Sequence, residues 1–317
     1  MWFGLRALVT GGAGFIGRNL VRNLAANEQD VVILDNFSLS DMAYLREFEA
    51  AKIIKGDVRR EADVFEAAKG CSVIYHLAAP SSMLMYEENP IESSIVTVQG
   101  FLNVLEAMRR FDVKRLVYAS TAAVYEGNRL PYKEDMEIRP PDHKALMKKF
   151  NEETAQLYID RYGLSAVGLR PFSVYGSGEK SKGRYANVAS LFTWSMLRGE
   201  RPILWGDGAQ TRDFIFIDDV VEAFMLAGES TCRNEIFNVG TGIETSFNEI
   251  VSILNRELGL NLEPVYVPIP ISIYARRLRA DISKARDELG FIAKTPLLEG
   301  IRAVIRQGKS GQALSHL

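Results

Sequence analysis

A glycine-rich stretch near the amino terminus constrains the fold of this chain more than any other feature. The run Leu5 to Val9 is short and apolar, as expected for a buried β-strand, and Gly11, Gly14 and Gly17 follow it closely. An amphipathic segment from Phe15 to Ala26 comes next. A strand that passes through closely spaced glycines into a helix is typical of a turn that binds a dinucleotide diphosphate.

The residue types in this turn suit that task. Glycine allows the tight turn, the close approach of the backbone to the diphosphate, and the contact between helix and strand. The first N–H groups of the helix are unpaired, and the helix dipole favours negative charge there. Asp35 ends the second apolar run, about 20 residues after Gly17, where a carboxylate accepts hydrogen bonds from the adenosine ribose and repels a 2′-phosphate. We therefore predict NAD as the cofactor.

The first half of the chain alternates short apolar runs with helix-length segments, and helices are predicted over 94–111 and 146–162. This rhythm predicts an α/β fold: a Rossmann-type doubly wound parallel sheet with a smaller C-terminal substrate-binding lobe. Residues 1–171, with return segments near 213–240, are predicted to form the NAD-binding domain, and 172–317 mainly the lobe. The remaining predicted strands are Val31–Leu34, Lys52–Lys55, Ser72–Leu77, Arg115–Ala119 and Ala166–Arg170.

The composition excludes several classes of protein. With 38 basic and 40 acidic residues, the formal net charge of -2 lacks the basic excess that binding to nucleic acid or a membrane surface requires. No apolar run approaches the roughly 20 residues of a membrane span, and the amino terminus lacks the features of a signal peptide. Cys71 and Cys232 have no metal-ligand spacing. We therefore expect a cytoplasmic protein without disulfides and, from the polar sequence after Arg306, a loose tail.

Motifs along nearly the whole chain resemble those of the extended short-chain dehydrogenase/reductases, specifically the nucleotide-sugar epimerases and dehydratases such as the UDP-glucose 4-epimerase-like enzymes. Their order and spacing are more specific for the family than for the reaction. The resemblance implies a nucleotide-sugar substrate. The motifs are residues 10–17, Leu34-Asp35-Asn36, Gly56-Asp57-Val58, His76-Leu77-Ala78-Ala79, 119–125, 169–176, 206–214 and Asp218-Asp219-Val220.

The resemblance also implies a set of catalytic residues, from which this chain departs at one position. Thr121 occupies the place of the hydroxyl that bonds the sugar oxygen, and Lys148 that of the lysine in a Tyr-x-x-x-Lys motif. The tyrosine position, four residues earlier, is Lys144. The usual base is therefore absent, and we hypothesise that Lys144 replaces it as a base or a ligand of the sugar oxygen. The alternative is a solvated lysine in a site whose chemistry has moved elsewhere.

Physical chemistry supports a reactive Lys144. Residues four apart share a helix face, so Lys144 and Lys148 are expected to lie close together. Like charge and burial both disfavour protonation, so at least one of them should have a lowered pKa and be able to act as a base. His143, beside Asp142, is a further candidate as a proton shuttle or metal ligand, although surface histidines are common; no metal site is predicted.

The motifs also assign binding residues. Arg212 is expected to grip the substrate diphosphate, because a guanidinium can bond two oxygens at once. The other predicted substrate ligands are Ser81, Thr121, Ser173, Asn187, Arg279 and Asp281. The predicted cofactor ligands are Gly11, Gly14, Phe15, Ile16, Gly17, Asp35, Asn36, Asp57, Val58, Leu77, Ala78, Ala79, Lys148 and Pro171.

Four functions are compatible with these motifs. The first is an NAD-dependent epimerase or isomerase acting on a UDP-, GDP- or dTDP-sugar. The second is a non-redox, metal-assisted pyranose–furanose mutase, favoured by the missing tyrosine. A dehydratase ranks lower, because Thr121-Ala122-Ala123 lacks the acidic side chains of that subclass. A non-catalytic sensor of NAD or nucleotide sugars is the fourth. Apolar residues on two sides of 146–162 also suggest a homodimer.

Overall fold

The structure, a computed structural model, describes residues 6–48, 50–270 and 274–313. Two of its strands, Arg6–Thr10 and Val73–His76, are almost fully buried, as expected when helices cover both faces of a parallel sheet. In chain order the strands are β1 (Arg6–Thr10), β2 (Asp30–Asp35), β3 (Lys52–Lys55), β4 (Val73–His76), β5 (Arg115–Ala119), β6 (Ala166–Pro171), β7 (Ser173–Tyr175), β8 (Ile203–Trp205), β9 (Thr211–Phe216), β10 (Glu235–Val239), β11 (Glu244–Ser246) and β12 (Val265–Val267).

Seven of these strands form one parallel sheet in the order β10-β6-β5-β4-β1-β2-β3. The strand order reverses between β1 and β4, which opens a crevice at their carboxyl ends where ligands bind in open α/β sheets. Across it, Leu77 N donates to Thr10 O at 3.1 Å. This topology confirms the predicted fold class. A smaller sheet joins β11, β9 and β7, and β12 pairs with β8.

Helices cover the sheet on both faces, and α7 packs against α1. Short 3₁₀ turns lie at Met42–Leu45, Ala122–Tyr125 and Glu179–Tyr185. The α-helices in the described part of the chain are α1 (Phe15–Ala26), α2 (Glu61–Ala68), α3 (Met83–Glu88), α4 (Pro90–Phe111), α5 (His143–Tyr162), α6 (Val188–Leu197), α7 (Ile217–Glu229), α8 (Phe247–Leu258), α9 (Ser283–Leu289) and α10 (Leu297–Ala313).

Two helices begin earlier than the periodicity predicts. The predicted 94–111 helix starts at Pro90, because proline is tolerated in the first helical turn, where its missing N–H would have no partner. The predicted 146–162 helix starts at His143, because the side chain of Asp142 accepts a hydrogen bond from Ala145 N at 2.8 Å and caps the first turn. The extra turn places Lys144 on the same helix as Lys148.

The carboxyl-terminal segment also differs from expectation. The predicted loose tail from Arg306 to Leu317 is wrong for its described residues, because α10 continues to Ala313. Predicted strand residue Leu5 and the last residues of the tail, 314–317, lie outside the described residues. Both cysteines are free. None of the described helices combines the length and the apolar character needed to cross a membrane.

Candidate active site at the carboxyl edge of the sheet

Two neighbouring cavities open at the crevice between β1 and β4. The larger, of about 430 Å³, extends from the glycine turn past Thr121 and Lys148 to the loop before α6. The smaller, of about 350 Å³, extends from the same turn to Asp35 and Val58. Gly11, Gly14, Leu39, Leu77, Ala79, Pro80 and Tyr185 line both. Because they share these walls, the two cavities form one elongated site with the glycine turn at its centre.

Packing in the glycine turn leaves no room for side chains. Gly11 has φ +69°, and a Cβ there would lie 2.8 Å from Ala78 N; a Cβ on Gly17 would lie 2.1 Å from Gly11 O. In the described structure no side chain caps α1 after Gly14, so the first N–H groups of the helix face the cavity without an intrahelical partner. The turn therefore fits a diphosphate, as the sequence predicts.

Asp35 lies at the end of β2 in the wall of the smaller cavity. Its carboxylate accepts hydrogen bonds from Ala13 N at 2.9 Å and Phe37 N at 2.8 Å. Burial raises its pKa, while these bonds act in the opposite direction. The bonds fix the carboxylate at the edge of the glycine turn, and Asn36 and Val58 line the same cavity.

Asp57, one of the predicted cofactor ligands, does not line either cavity. Its carboxylate is held by Arg59, with Nη2 at 2.6 Å, and accepts a hydrogen bond from Asn36 Nδ2 at 3.1 Å. The bonds from Arg59 lower its pKa to about 2. Arg59, two positions along the chain, occupies the oxygens of the Asp57 carboxylate. Asp57 therefore positions two residues that line the smaller cavity, Asn36 and Arg59.

Lys144 and Lys148 both line the larger cavity, as predicted for two residues one helical turn apart. Lys148 is buried, and its Nζ donates to Ala119 O at 2.7 Å. Burial and then the charge of Lys144 lower the pKa of Lys148 to about 7. Lys144 is half-buried and donates to Ser81 O at 2.9 Å. Burial lowers its pKa to about 8, against the opposing effect of Asp142.

Thr121 is buried at the cavity wall and begins the 3₁₀ turn Ala122–Tyr125. Its hydroxyl accepts a hydrogen bond from Ala123 N at 3.2 Å, which leaves the hydroxyl proton available to a ligand. Thr121, Lys144 and Lys148 therefore line one cavity, although they come from two separate segments of the chain.

His143 lies apart from these residues. It is the exposed first residue of α5 and lines neither cavity. The helix turns by about 100° per residue, so the neighbour of Lys144 points elsewhere. Across residues 6–48, 50–270 and 274–313, no group of three or more His, Cys, Asp or Glu side chains is placed to hold a metal ion.

The predicted substrate-binding residues fall into two groups. One group lines the larger cavity: Ser81, Ser173 and Asn187. The same cavity is lined by the predicted cofactor residues Phe15, Ile16, Gly17 and Pro171. The smaller cavity is lined by Ala78. Arg212, Arg279 and Asp281 line neither of the two cavities.

The guanidinium of Arg212 is buried between the rings of Phe247 and Tyr274, and burial lowers its pKa. Arg279 keeps a buried Nε that has no hydrogen-bond partner among the residues the structure describes. Asp281 is less available than predicted, because its carboxylate accepts bonds from the backbone and hydroxyl groups of Ser283.

Sequence reasoning missed several residues that line the larger cavity, among them Glu126, Lys182 and Tyr185. Glu126 directly follows the motif that contains Thr121, which was the available signal. Lys182 and Tyr185 belong to the 3₁₀ turn Glu179–Tyr185, and no local pattern predicts its approach to the glycine turn. Lys182 pairs with the buried Glu179 at 2.8 Å.

Known proteins share both sequence and fold with this chain. Residues 7–240 match the model of the NAD dependent epimerase/dehydratase family. A putative UDP-glucose 4-epimerase of Methanocaldococcus jannaschii is 39% identical over 307 residues, which cover 96% of this chain and 98% of that protein.

Two solved structures superpose closely on the fold. The UDP-glucose 4-epimerase of Thermotoga maritima, solved with UDP-glucose, has a TM-score of 0.92 and 32% identity, covering 97% of this chain and 100% of that chain. The UDP-glucose 4-epimerase of Thermus thermophilus, solved with NAD, has a TM-score of 0.88 and 30% identity, covering 96% and 99%.

Proposed function

The chain belongs to the NAD dependent epimerase/dehydratase family, and we propose that it is a UDP-hexose 4-epimerase in which Lys144 takes the place of the catalytic tyrosine. One observation carries the proposal: Lys144, Lys148 and Thr121 line a single cavity that begins at the glycine turn. The relatives named as UDP-glucose 4-epimerases support UDP as the nucleotide and the 4-position of the sugar as the reacting centre.

The site fits NAD, the cofactor of this family. The bare backbone at Gly11 and Gly17 and the free end of α1 suit the diphosphate, and Asp35 suits the ribose of the adenosine half. A phosphate on that ribose would meet the carboxylate of Asp35, so NAD is favoured over NADP. When bound, NAD supplies a hydride acceptor for the oxidation of a sugar carbon and returns the hydride in the second half of the reaction.

The proton of the reacting sugar hydroxyl requires a base, and Lys144 has the properties for this role. A pKa near 8 leaves a substantial fraction of the amine neutral close to physiological pH, and a neutral amine accepts a proton. Thr121, which lines the same cavity, offers a hydroxyl to the same sugar oxygen. Lys148, fixed by Ala119 O, is suited to hold the nicotinamide ribose.

The substrate diphosphate is assigned to Arg212 and Arg279. The buried Nε of Arg279 lacks a partner in the described structure, and a phosphate oxygen would provide one. Arg212 lies close enough to Glu126, in the cavity wall, to influence the pKa of that carboxyl. The two ligands are assigned to two parts of the chain. Residues 1–171, with return segments near 213–240, bind NAD, and residues 172–317 mainly bind the nucleotide sugar.

A homodimer is part of the proposal. Exposed apolar side chains recur at helical spacing on α4 and α5, two helices that pack against each other. Exposed apolar surface on neighbouring helices supports an interface between subunits. We call it the α4–α5 stripe; it consists of Ile91, Ile95, Leu146, Phe150 and Leu157.

The direct test is to incubate the purified protein with UDP-glucose and UDP-galactose, and with a panel of other UDP-, GDP- and dTDP-sugars, with and without added NAD or divalent metal. We expect interconversion of the two 4-epimers of a UDP-hexose and a transient change in nicotinamide absorbance. Conversion that never involves the nicotinamide would support the mutase, and loss of water the dehydratase. Tight binding without conversion would support the sensor, and each of these results overturns the proposal.

A further inference from the structure

Glu126 places a carboxylate in the larger cavity, and the reaction proposed above makes no use of it. The residue follows the 3₁₀ turn that Thr121 begins, and its backbone N–H donates to Ala123 O at 3.3 Å. The preceding Tyr125 is fully buried and donates to Asn238 Oδ1 at 2.8 Å. This anchored turn fixes the point from which the Glu126 side chain enters the cavity.

Glu126 differs from the other charged residues that line this cavity. Lys148 donates to Ala119 O, Lys144 donates to Ser81 O, and Lys182 pairs with Glu179. The carboxylate of Glu126, by contrast, has no hydrogen bond or ion pair with any residue that the structure describes. It is half-buried, and burial followed by the charge of Asp142 raises its pKa, while Arg212 acts in the opposite direction.

A half-buried carboxylate without a donor is costly, and a ligand that brings donors would remove that cost. The hydroxyl groups of a neutral hexose are such donors. A sugar with its own carboxylate would instead place two negative charges in one cavity, and like charges at close range repel strongly where water is excluded. The identity of residue 126 therefore bears on which sugar the site accepts.

We propose that Glu126 is a specificity-determining residue, which accepts hydrogen bonds from the hydroxyl groups of a neutral hexose and disfavours a uronic acid in the same place. This inference rests on the proposed function, because it assumes that the larger cavity holds the sugar of a UDP-sugar. It assigns to Glu126 a role in binding and none in the transfer of hydride.

Binding measurements test the proposal without requiring turnover. The NAD-loaded protein is titrated calorimetrically with UDP-glucose and with UDP-glucuronate, and the ratio of the two dissociation constants is compared between variants. We expect the wild type to prefer UDP-glucose by at least about tenfold. Glu126→Gln, which keeps the shape and removes the charge, should reduce that preference by about tenfold.

Glu137→Gln is the matched control, because Glu137 lies on the same connection, is exposed and pairs with Arg139 away from the cavity. It should leave the ratio unchanged. Glu126→Ala, which removes the acceptor atoms as well, should weaken UDP-glucose binding further, and thermal unfolding of each variant verifies the fold. If Glu126→Gln binds both sugars in the wild-type ratio, this inference is overturned while the proposed function stands. If neither UDP-sugar binds the wild type, both are overturned.

Discussion

Lys144 and Lys148 lie one turn apart on α5, and the charge of the first adds to the effect of burial in lowering the pKa of the second to about 7. Both ammonium groups donate to backbone carbonyls in the wall of one cavity, at Ser81 and Ala119. Two ammonium groups in one cavity repel each other, so protonation of one lysine disfavours protonation of the other. The pair is therefore poised to exchange a proton near neutral pH, which is the property expected of a catalytic base.

Replacing Lys144 tests the role given to it. Lys144→Ala should lower kcat for the epimerisation of the UDP-hexose by at least about 100-fold, because a positioned base contributes that much or more. Lys144→Tyr should retain part of the activity, since a phenol can accept the same proton. Steady-state kinetics with UDP-glucose measures both. Lys149→Ala on the same helix, outside the cavity walls, is the control. An unimpaired Lys144→Ala would exclude Lys144 as the base.

The lowered pKa of Lys148 predicts how stability depends on pH. In the unfolded chain a lysine titrates near 10.4, whereas in the folded protein Lys148 has a pKa of about 7. Between these values the unfolded chain binds more protons, so the free energy of unfolding rises with pH. We expect this rise between pH 7 and 9 to be smaller in Lys148→Met, measured by urea unfolding of the protein without ligands. An identical rise in both proteins would contradict the prediction.

Asp35 is predicted to select NAD. Asp35→Asn removes the charge that we propose faces the adenosine ribose and weakens the bonds from Ala13 N and Phe37 N. We expect NAD affinity to fall by about tenfold or more, and the preference for NAD over NADP to shrink. Calorimetry with both dinucleotides measures this. Asp30→Asn, at the exposed start of the same strand, serves as the control; an equal loss in both variants would point to damage of β2 instead.

The α4–α5 stripe is predicted to form the dimer contact. Phe150→Glu and Leu157→Glu place charges on side chains that are 43% and 56% exposed, so the folded monomer should tolerate them while the interface does not. Analytical ultracentrifugation should find a dimer for the wild type and a monomer for the double variant. Tyr266→Glu, at a side chain that is 50% exposed on β12, should remain dimeric. A monomeric wild type would refute the contact.

A clasp of Glu88, Arg184 and Tyr185 is predicted to slow the release of NAD. The hydroxyl of Tyr185 donates to Glu88 Oε2 at 2.6 Å, and Arg184 Nη2 contacts the same oxygen at 2.8 Å. Tyr185 lines both cavities, so the clasp ties the wall of the site to α3. Glu88→Gln should speed dissociation of NAD by about threefold, as expected from loss of an exposed ion pair.

Stopped-flow displacement of NAD measures that rate. The neighbouring Glu87→Gln, at an exposed position without an ion pair in the described structure, should leave it unchanged. A Glu88→Gln rate equal to that of the wild type would show that the clasp does not restrain the cofactor.

The sequence by itself determined the parts of the protein whose physics is local. A strand, a turn of glycines and a helix follow one another within about 20 residues, and Asp35 follows at a fixed distance along the chain. The glycine turn and the free end of α1 follow from this local order of residues, so both were predictable, although the close contact at Gly11 comes from the distant Ala78. The sequence also predicted that Lys144 and Lys148 lie close together, although the helix predicted from periodicity began only at residue 146 and the Asp142 cap extends it to His143.

Tertiary structure decided which side chains share the cavity and which are already bonded elsewhere. Glu126 and Tyr185 reach the site from turns whose positions depend on packing between distant segments, and no period in the sequence records that packing. The carboxylates of Asp57 and Asp281 were predicted ligands, but Asn36 donates to the first and Lys133 pairs with the second, and both partners come from distant parts of the chain. Competition among hydrogen-bond partners is settled only when the chain is folded, because every partner outside the local turn arrives by long-range contacts.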